Sequence, residues 1–157
     1  MHELILLRHA EAEPPATTGA DRDRALSERG AREATDAGRW LAGHGAHPQR
    51  VLSSPARRTT QTAELALAAF ASPPALQTAN EIYDASPGEL LALLDQHFDA
   101  ESVLLVGHNP GIERLVALLV EGRSDGFRGM PPAGLAVLYL NGSLEPASAR
   151  LDAFWSP

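Results

Sequence analysis

The chain has 157 residues, a formal net charge of -7 and no cysteine. That length suits one domain that needs no disulfide or metal staple, and the absence of cysteine excludes a thiolate metal site and a cysteine nucleophile. All 13 cationic residues are arginine, which excludes Schiff-base chemistry and a Walker-type phosphate lysine, while an acidic chain is a poor match for a nucleic-acid backbone. No apolar run approaches the ~20 residues of a membrane span. Leu4–Leu7 reads as a strand and not a signal peptide. The expectation is therefore one cytoplasmic domain over residues 1–157, bound to neither nucleic acid nor membrane.

Leu4–Leu7 is a short buried strand ending in Arg8-His9-Ala10-Glu11. Residues 13–24, with Pro14, Pro15 and Gly19, have no period and read as a loop. Ser27 is placed to cap a helix carrying Ala31, Ala34, Ala37, Gly38 and Leu41 at helical spacing. Gly43 and Gly45 end that helix. Val51-Leu52 is a minimal strand, after which Ser54 reads as a cap with Pro55 in the first helical position and Pro73-Pro74 closing the helix. Leu76 to Ile82 reads as extended. Ser86-Pro87-Gly88-Glu89 matches a capping box, followed by an apolar face of Leu90, Leu91, Leu94 and Phe98.

Ser102–Val106 is a continuous apolar run, the pattern of a strand covered on both faces. Asn109-Pro110 opens a helix with Ile112, Leu115, Val116, Leu119 and Val120 on one side. A loop follows from Gly122 to Pro132, and Leu135–Leu140 and Leu151–Phe154 complete the pattern as strands. The order β-α-β-α-β-α-β-α-β-β predicts a three-layer α/β/α sandwich around a mainly parallel sheet.

Such sheets place their sites beyond the carboxyl ends of the strands. Three strands there lead into polar groups: Arg8-His9, Ser53-Ser54-Pro55 with Arg57 and Arg58 just after, and Gly107-His108-Asn109-Pro110-Gly111. Arg8, His9, His108 and at least one of Arg57 and Arg58 are expected to meet at one sheet edge, joined by the amino ends of two helices. Helix amino ends and arginine forks both favour an anion, and phosphate fits best. Glu11 and Glu13 read as solvated charges, and stand next in line as acids after Glu81. His44 and His47 lack a third ligand, so no metal is expected.

These segments carry a resemblance. Leu6-Leu7-Arg8-His9-Ala10 resembles the arginine-histidine-glycine signature of the histidine phosphatase superfamily, with alanine in the glycine place. Ser54-Pro55-Ala56-Arg57-Arg58-Thr59-Thr60-Gln61-Thr62-Ala63 resembles its S-P-x-x-R-x-x-Q-T-A segment, a register that selects Arg58 over Arg57. Arg24-Ala25-Leu26-Ser27-Glu28-Arg29-Gly30 and Val106-Gly107-His108-Asn109-Pro110-Gly111 match two further segments, in the family's order. Length and the short segment after His108 make the SixA-type phosphohistidine phosphatases the most similar branch. Residues 73–102 are too few for the helical lid of larger members, and Glu11 to Pro15 lack the asparagine of the sugar-phosphate mutases.

The resemblance implies a phosphoglycerate mutase-like fold and a cofactor-free phosphatase. His9 would be the nucleophile, forming a covalent phosphohistidine. Arg8, Arg58 and His108 would clamp the phosphoryl group, Asn109 would bind substrate, and Glu81, in the place of the family's acid, would protonate the leaving group. An open site suits a phosphoryl group protruding from a protein, so the expected partner is a histidine-phosphorylated signalling or phosphotransfer protein, or a small phosphoester. A general phosphomonoesterase and a non-catalytic phosphate-binding module are the competing readings. A dinucleotide-binding domain is disfavoured, because the first strand lacks a Gly-x-Gly-x-x-Gly turn.

Overall fold

In the computed structural model, which describes residues 1–126 and 129–157, the apolar runs pair into one sheet. Its strands are β1 (Glu3–Arg8), β2 (Arg50–Ser53), β3 (Leu76–Thr78), β4 (Ser102–Gly107), β5 (Leu135–Leu140) and β6 (Ala149–Trp155). The helices are α1 (Glu28–Gly43), α2 (Arg57–Leu67), α3 (Pro87–Asp95) and α4 (Gly111–Glu121). Strand order across the sheet is β3-β2-β4-β1-β5-β6. The pairs β3/β2, β2/β4 and β4/β1 are parallel, and β5 and β6 are antiparallel additions on the β1 side.

Alternation along β1 builds a core on each face. Leu4 and Leu6 pack with Leu90, Leu94, Ile112, Leu115 and Leu119 of α3 and α4. Ile5 and Leu7 pack with Ala37 and Leu41 of α1 and Ala63, Ala66 and Leu67 of α2. This is the α/β/α sandwich, with β1 and β4 buried on both sides. On α3 the buried positions are Leu90, Leu93 and Leu94, with Leu91 only partly covered.

Capping follows the sequence at two helices. Ser27 accepts from the Gly30 amide ahead of α1, and Ser86 and Glu89 close a reciprocal capping box on α3. The second helix differs from expectation. It begins at Arg57, not Pro55, and ends at Leu67, well before Pro73. Ser54 instead continues the ladder, its amide donating to the Val106 carbonyl at 3.2 Å. Thr59 Oγ1 lies 2.8 Å from both the Ser54 and Ala56 carbonyls.

The extended segment expected to reach Ile82 stops at Thr78. A 3-10 turn over Asn80–Ile82 then carries Ile82 into the core beneath Gly107. Likewise α4 starts at Gly111, one residue after the expected Asn109-Pro110. No helix among the described residues is long and apolar enough to cross a membrane.

Candidate active site

Parallel register brings the strand ends together. Arg8 of β1 lies opposite Gly107 of β4, and Ser53 of β2 opposite Val106. The next residues, His9, Ser54 and His108, therefore leave the sheet side by side. The His9 amide donates to the Gly107 carbonyl at 3.0 Å, and the His9 and His108 ring centroids are 5.3 Å apart.

Each histidine has a tautomer set by its partners. His9 Nδ1 is 2.8 Å from the Ala10 carbonyl. A carbonyl only accepts, so Nδ1 carries the proton and Nε2 keeps its lone pair. Burial lowers the His9 pKa to about 4, with the charges of Arg58, Arg8 and Arg24 adding to burial and the Ala10 hydrogen bond opposing it. At neutral pH the ring is uncharged and Nε2 is nucleophilic. His108 is held the other way round. Arg58 Nη2 donates to its Nδ1 at 3.3 Å, so Nε2 bears the proton and donates to Ser54 Oγ at 2.8 Å. Burial, then His9 and Arg58, lower its pKa to about 3. His108 is thus a neutral donor in the free protein, and the cationic part of the cluster is the arginine pair.

Arg58 lies inside, 6% exposed, whereas Arg57 faces solvent, as the motif register selects. Arg58 donates to the Asp21 carbonyl at 2.9 Å and to Asp21 Oδ2 at 3.0 Å. Arg8 donates to the Met130 carbonyl at 2.7 Å. The Nε atoms of both arginines are buried and have no hydrogen-bond partner, and neither does Asn109 Oδ1. Buried donors without partners are costly. The charges of both arginines act on both neutral imidazoles, and the four groups form a cationic cradle that favours an anion. Asn109 Nδ2 donates to the Met130 carbonyl at 3.0 Å, which ties this residue to the Arg8 side of the cluster.

The resembling segments each take on a physical task. Gln61 Oε1 accepts from the Leu26 amide at 2.8 Å and pins the end of the 13–25 loop. Thr62 Oγ1 accepts from the Ala10 amide at 3.0 Å and fixes the residue after His9. Ala10 packs with Ala34 and Ala133, so its methyl is accommodated where the signature has glycine. Gly30 is required by close approach, because a Cβ there would sit 1.9 Å from the Glu11 carbonyl oxygen.

Three site residues escape a reading of the sequence: Ser54 as a partner of His108, and Asp21 and Tyr83 as a wall. Tyr83 donates its hydroxyl to Asp21 Oδ2 and meets His108 edge-on at 5.4 Å, and the Arg22 guanidinium lies 4.3 Å over its ring. Asp21 also accepts from Arg24 at 3.2 Å. Its carboxyl is held down at about 2 by Tyr83 first and then Arg58 and Arg24, with desolvation opposing.

Glu81 is placed differently from the other expected residues. It is exposed and lines a depression of about 220 Å³ against α3, with Glu89, Ala92, Leu93 and Gln96. Glu11 accepts from Ser27 Oγ at 2.9 Å, which occupies it in the loop. His44 stacks on Trp40 and lies 3.1 Å from Asp152, away from the cluster. Among the described residues no three His, Asp or Glu side chains are grouped to hold a metal.

Fold and site together define an α/β protein with two histidines and two arginines gathered at the carboxyl edge of its parallel strands. The chain belongs to the histidine phosphatase superfamily, whose branch 1 model matches residues 4–93. It is 34% identical over 165 residues to an uncharacterised Mycobacterium tuberculosis protein, covering 96% of this chain and 99% of that one. A structure from Agrobacterium tumefaciens, assigned provisionally as a SixA phosphohistidine phosphatase, is 32% identical with a TM-score of 0.85, covering 99% of this chain and 98% of that one. The protein histidine phosphatase SixA in complex with tungstate is 26% identical with a TM-score of 0.86, covering 99% and 97%. The phosphoglycerate mutase-like fold and a phosphatase activity follow.

Proposed function

We propose that the protein hydrolyses phosphohistidine on a partner protein in the cytoplasm, as a single domain and without a metal, through a phosphorylated His9. The observation that carries this reading is the state of His9: neutral, with Nδ1–H fixed on the Ala10 carbonyl and Nε2 free, beside two arginines whose buried Nε groups have no partner. The Nε2 lone pair forms the new N–P bond as the bond from phosphorus to the leaving group breaks. Charge on the transferring oxygens falls to Arg8 and Arg58, and to His108 once its N–H turns from Ser54 Oγ, with Asn109 at the same edge. Water then attacks phosphorus, its proton passes to solvent, and inorganic phosphate leaves with His9 restored. The tungstate held by a SixA structure is a tetrahedral oxyanion of the same shape, which supports an oxyanion in this cradle.

A phosphohistidine donor suits the exposed position of Glu81. Imidazole titrates near neutrality and leaves with a proton of its own, so only alkoxide leaving groups need Glu81 as acid. The test is a rapid quench with radiolabelled phosphohistidine protein, with sugar phosphates in parallel. Acid-labile label on the enzyme, its absence in His9→Ala, and faster turnover of the phosphoprotein are expected. Near-normal activity of His9→Ala would sink the covalent step, and preference for sugar phosphates would make the protein a small-molecule phosphomonoesterase.

A further inference from the structure

Glu113 is a carboxylate in the first turn of α4, only 5% exposed, and the steps proposed above leave it unused. A buried charge of this kind requires compensation. Its Oε2 accepts from the Met130 amide at 3.2 Å. The carbonyl of that same Met130 receives Arg8 Nη1 at 2.7 Å and Asn109 Nδ2 at 3.0 Å. Glu113 is also the opposite charge that offsets the burial of the Arg8 guanidinium. The following residues are tied to the strand end as well: the Arg8 amide donates to Gly134, and the Ala133 amide to His9. One residue with no place in the motifs thus grips, through the backbone of Met130, two groups of the cradle.

We propose that Glu113 is a positioning residue for Arg8: it fixes the backbone of Met130, whose carbonyl holds the guanidinium, and is its buried counter-charge. The proposal rests on the phosphatase reading of the site and is independent of which phosphoryl donor is used. A bland alternative exists, since a carboxylate in a first helical turn stabilises a helix through its dipole. That role would lower stability without regard to Arg8. A second alternative has the opposite sign. If Glu113 were only a nearby negative charge, its removal would tighten anion binding.

Double-mutant cycles separate these cases. The readouts are kcat/KM on nitrophenyl phosphate and, independently of turnover, affinity for orthovanadate. Glu113→Gln, nearly isosteric, is expected to lower both about tenfold in the wild-type background. In an Arg8→Ala background the same change should cost less than twofold. In an Arg58→Ala background the full loss should persist, because Arg58 is held by Asp21 and not by Met130. Glu113→Asp, which keeps the charge but shortens the reach to Met130, is carried through the same cycles in case the glutamine variant does not fold. Unchanged or tighter binding, or equal coupling to Arg8 and Arg58, would overturn the proposal. A wild type that neither turns over substrate nor binds vanadate would instead overturn the phosphatase reading beneath it.

Discussion

Arg57 and Arg58 are neighbours in sequence but about 100° apart around the helix, and the outcome is opposite: one faces solvent, the other is buried on Asp21 and His108. Arg58→Ala is expected to lower kcat/KM by about 10²–10³, the usual effect of losing a preorganised donor. Arg57→Ala should stay within about threefold, and steady-state kinetics on one substrate decides between them. Glu81→Gln should act by leaving group: a strong fall on alkyl phosphates, a weak one on nitrophenyl phosphate and phosphohistidine. A uniform fall across all three would show that Glu81 positions phosphate, and no fall would remove it as the acid. Arg8, His9, Arg58 and His108 were legible because strand ends and motif spacing place them. Asp21 and Tyr83 were not, since they reach the site from two short 3-10 turns without period, over 62 residues of separation. Ser54 was hidden by its resemblance to a helix cap.

At the scale of elements, the contact between α1 and α2 sets where Arg58 and Thr62 lie. Gly38 makes that contact possible, because a Cβ there would sit 2.2 Å from the Ala66 carbonyl oxygen and 2.5 Å from its Cα. Backbone cannot give way as a flexible side chain can. Gly38→Ala is therefore expected to destabilise by about 1–3 kcal/mol despite the better helix propensity of alanine. Thermal melting should show a drop of several degrees, and an unchanged or higher Tm would mean that α2 moves aside freely. The order of elements was readable because buried strands give continuous apolar runs and helices give the 3.6 period. Boundaries were less so around α2, where backbone pairing of Ser54 with Val106 outweighed the local signal of a serine-proline start.

For the whole molecule, the chain bears a charge of -7 yet gathers arginines around two histidines. Holding those rings neutral links the site to global stability. Unfolded histidines titrate near 6.5, whereas folded His9 and His108 titrate at about 4 and about 3. Between these values the unfolded chain binds protons that the folded one refuses, so stability is fully present above about pH 6.5 and declines as pH falls toward 4. The slope has an upper bound of about 1.4 kcal/mol per pH unit for each histidine, reduced by their partial exposure. Asp21 adds to the same trend at lower pH, between its ordinary 3.8 and about 2, where its hydrogen bonds from Tyr83 and Arg58 are lost. Urea titrations from pH 7.5 to 4.5 should show this fall. His9→Gln, which cannot titrate, should flatten it by roughly half. Inorganic phosphate, which stays a monomeric anion over this range, should also flatten it, because a bound anion offsets the arginine charges that disfavour protonation. Equal stability at pH 7 and pH 5 in the wild type would mean that the histidines are not held neutral, and would remove the electrostatic basis for a nucleophilic His9.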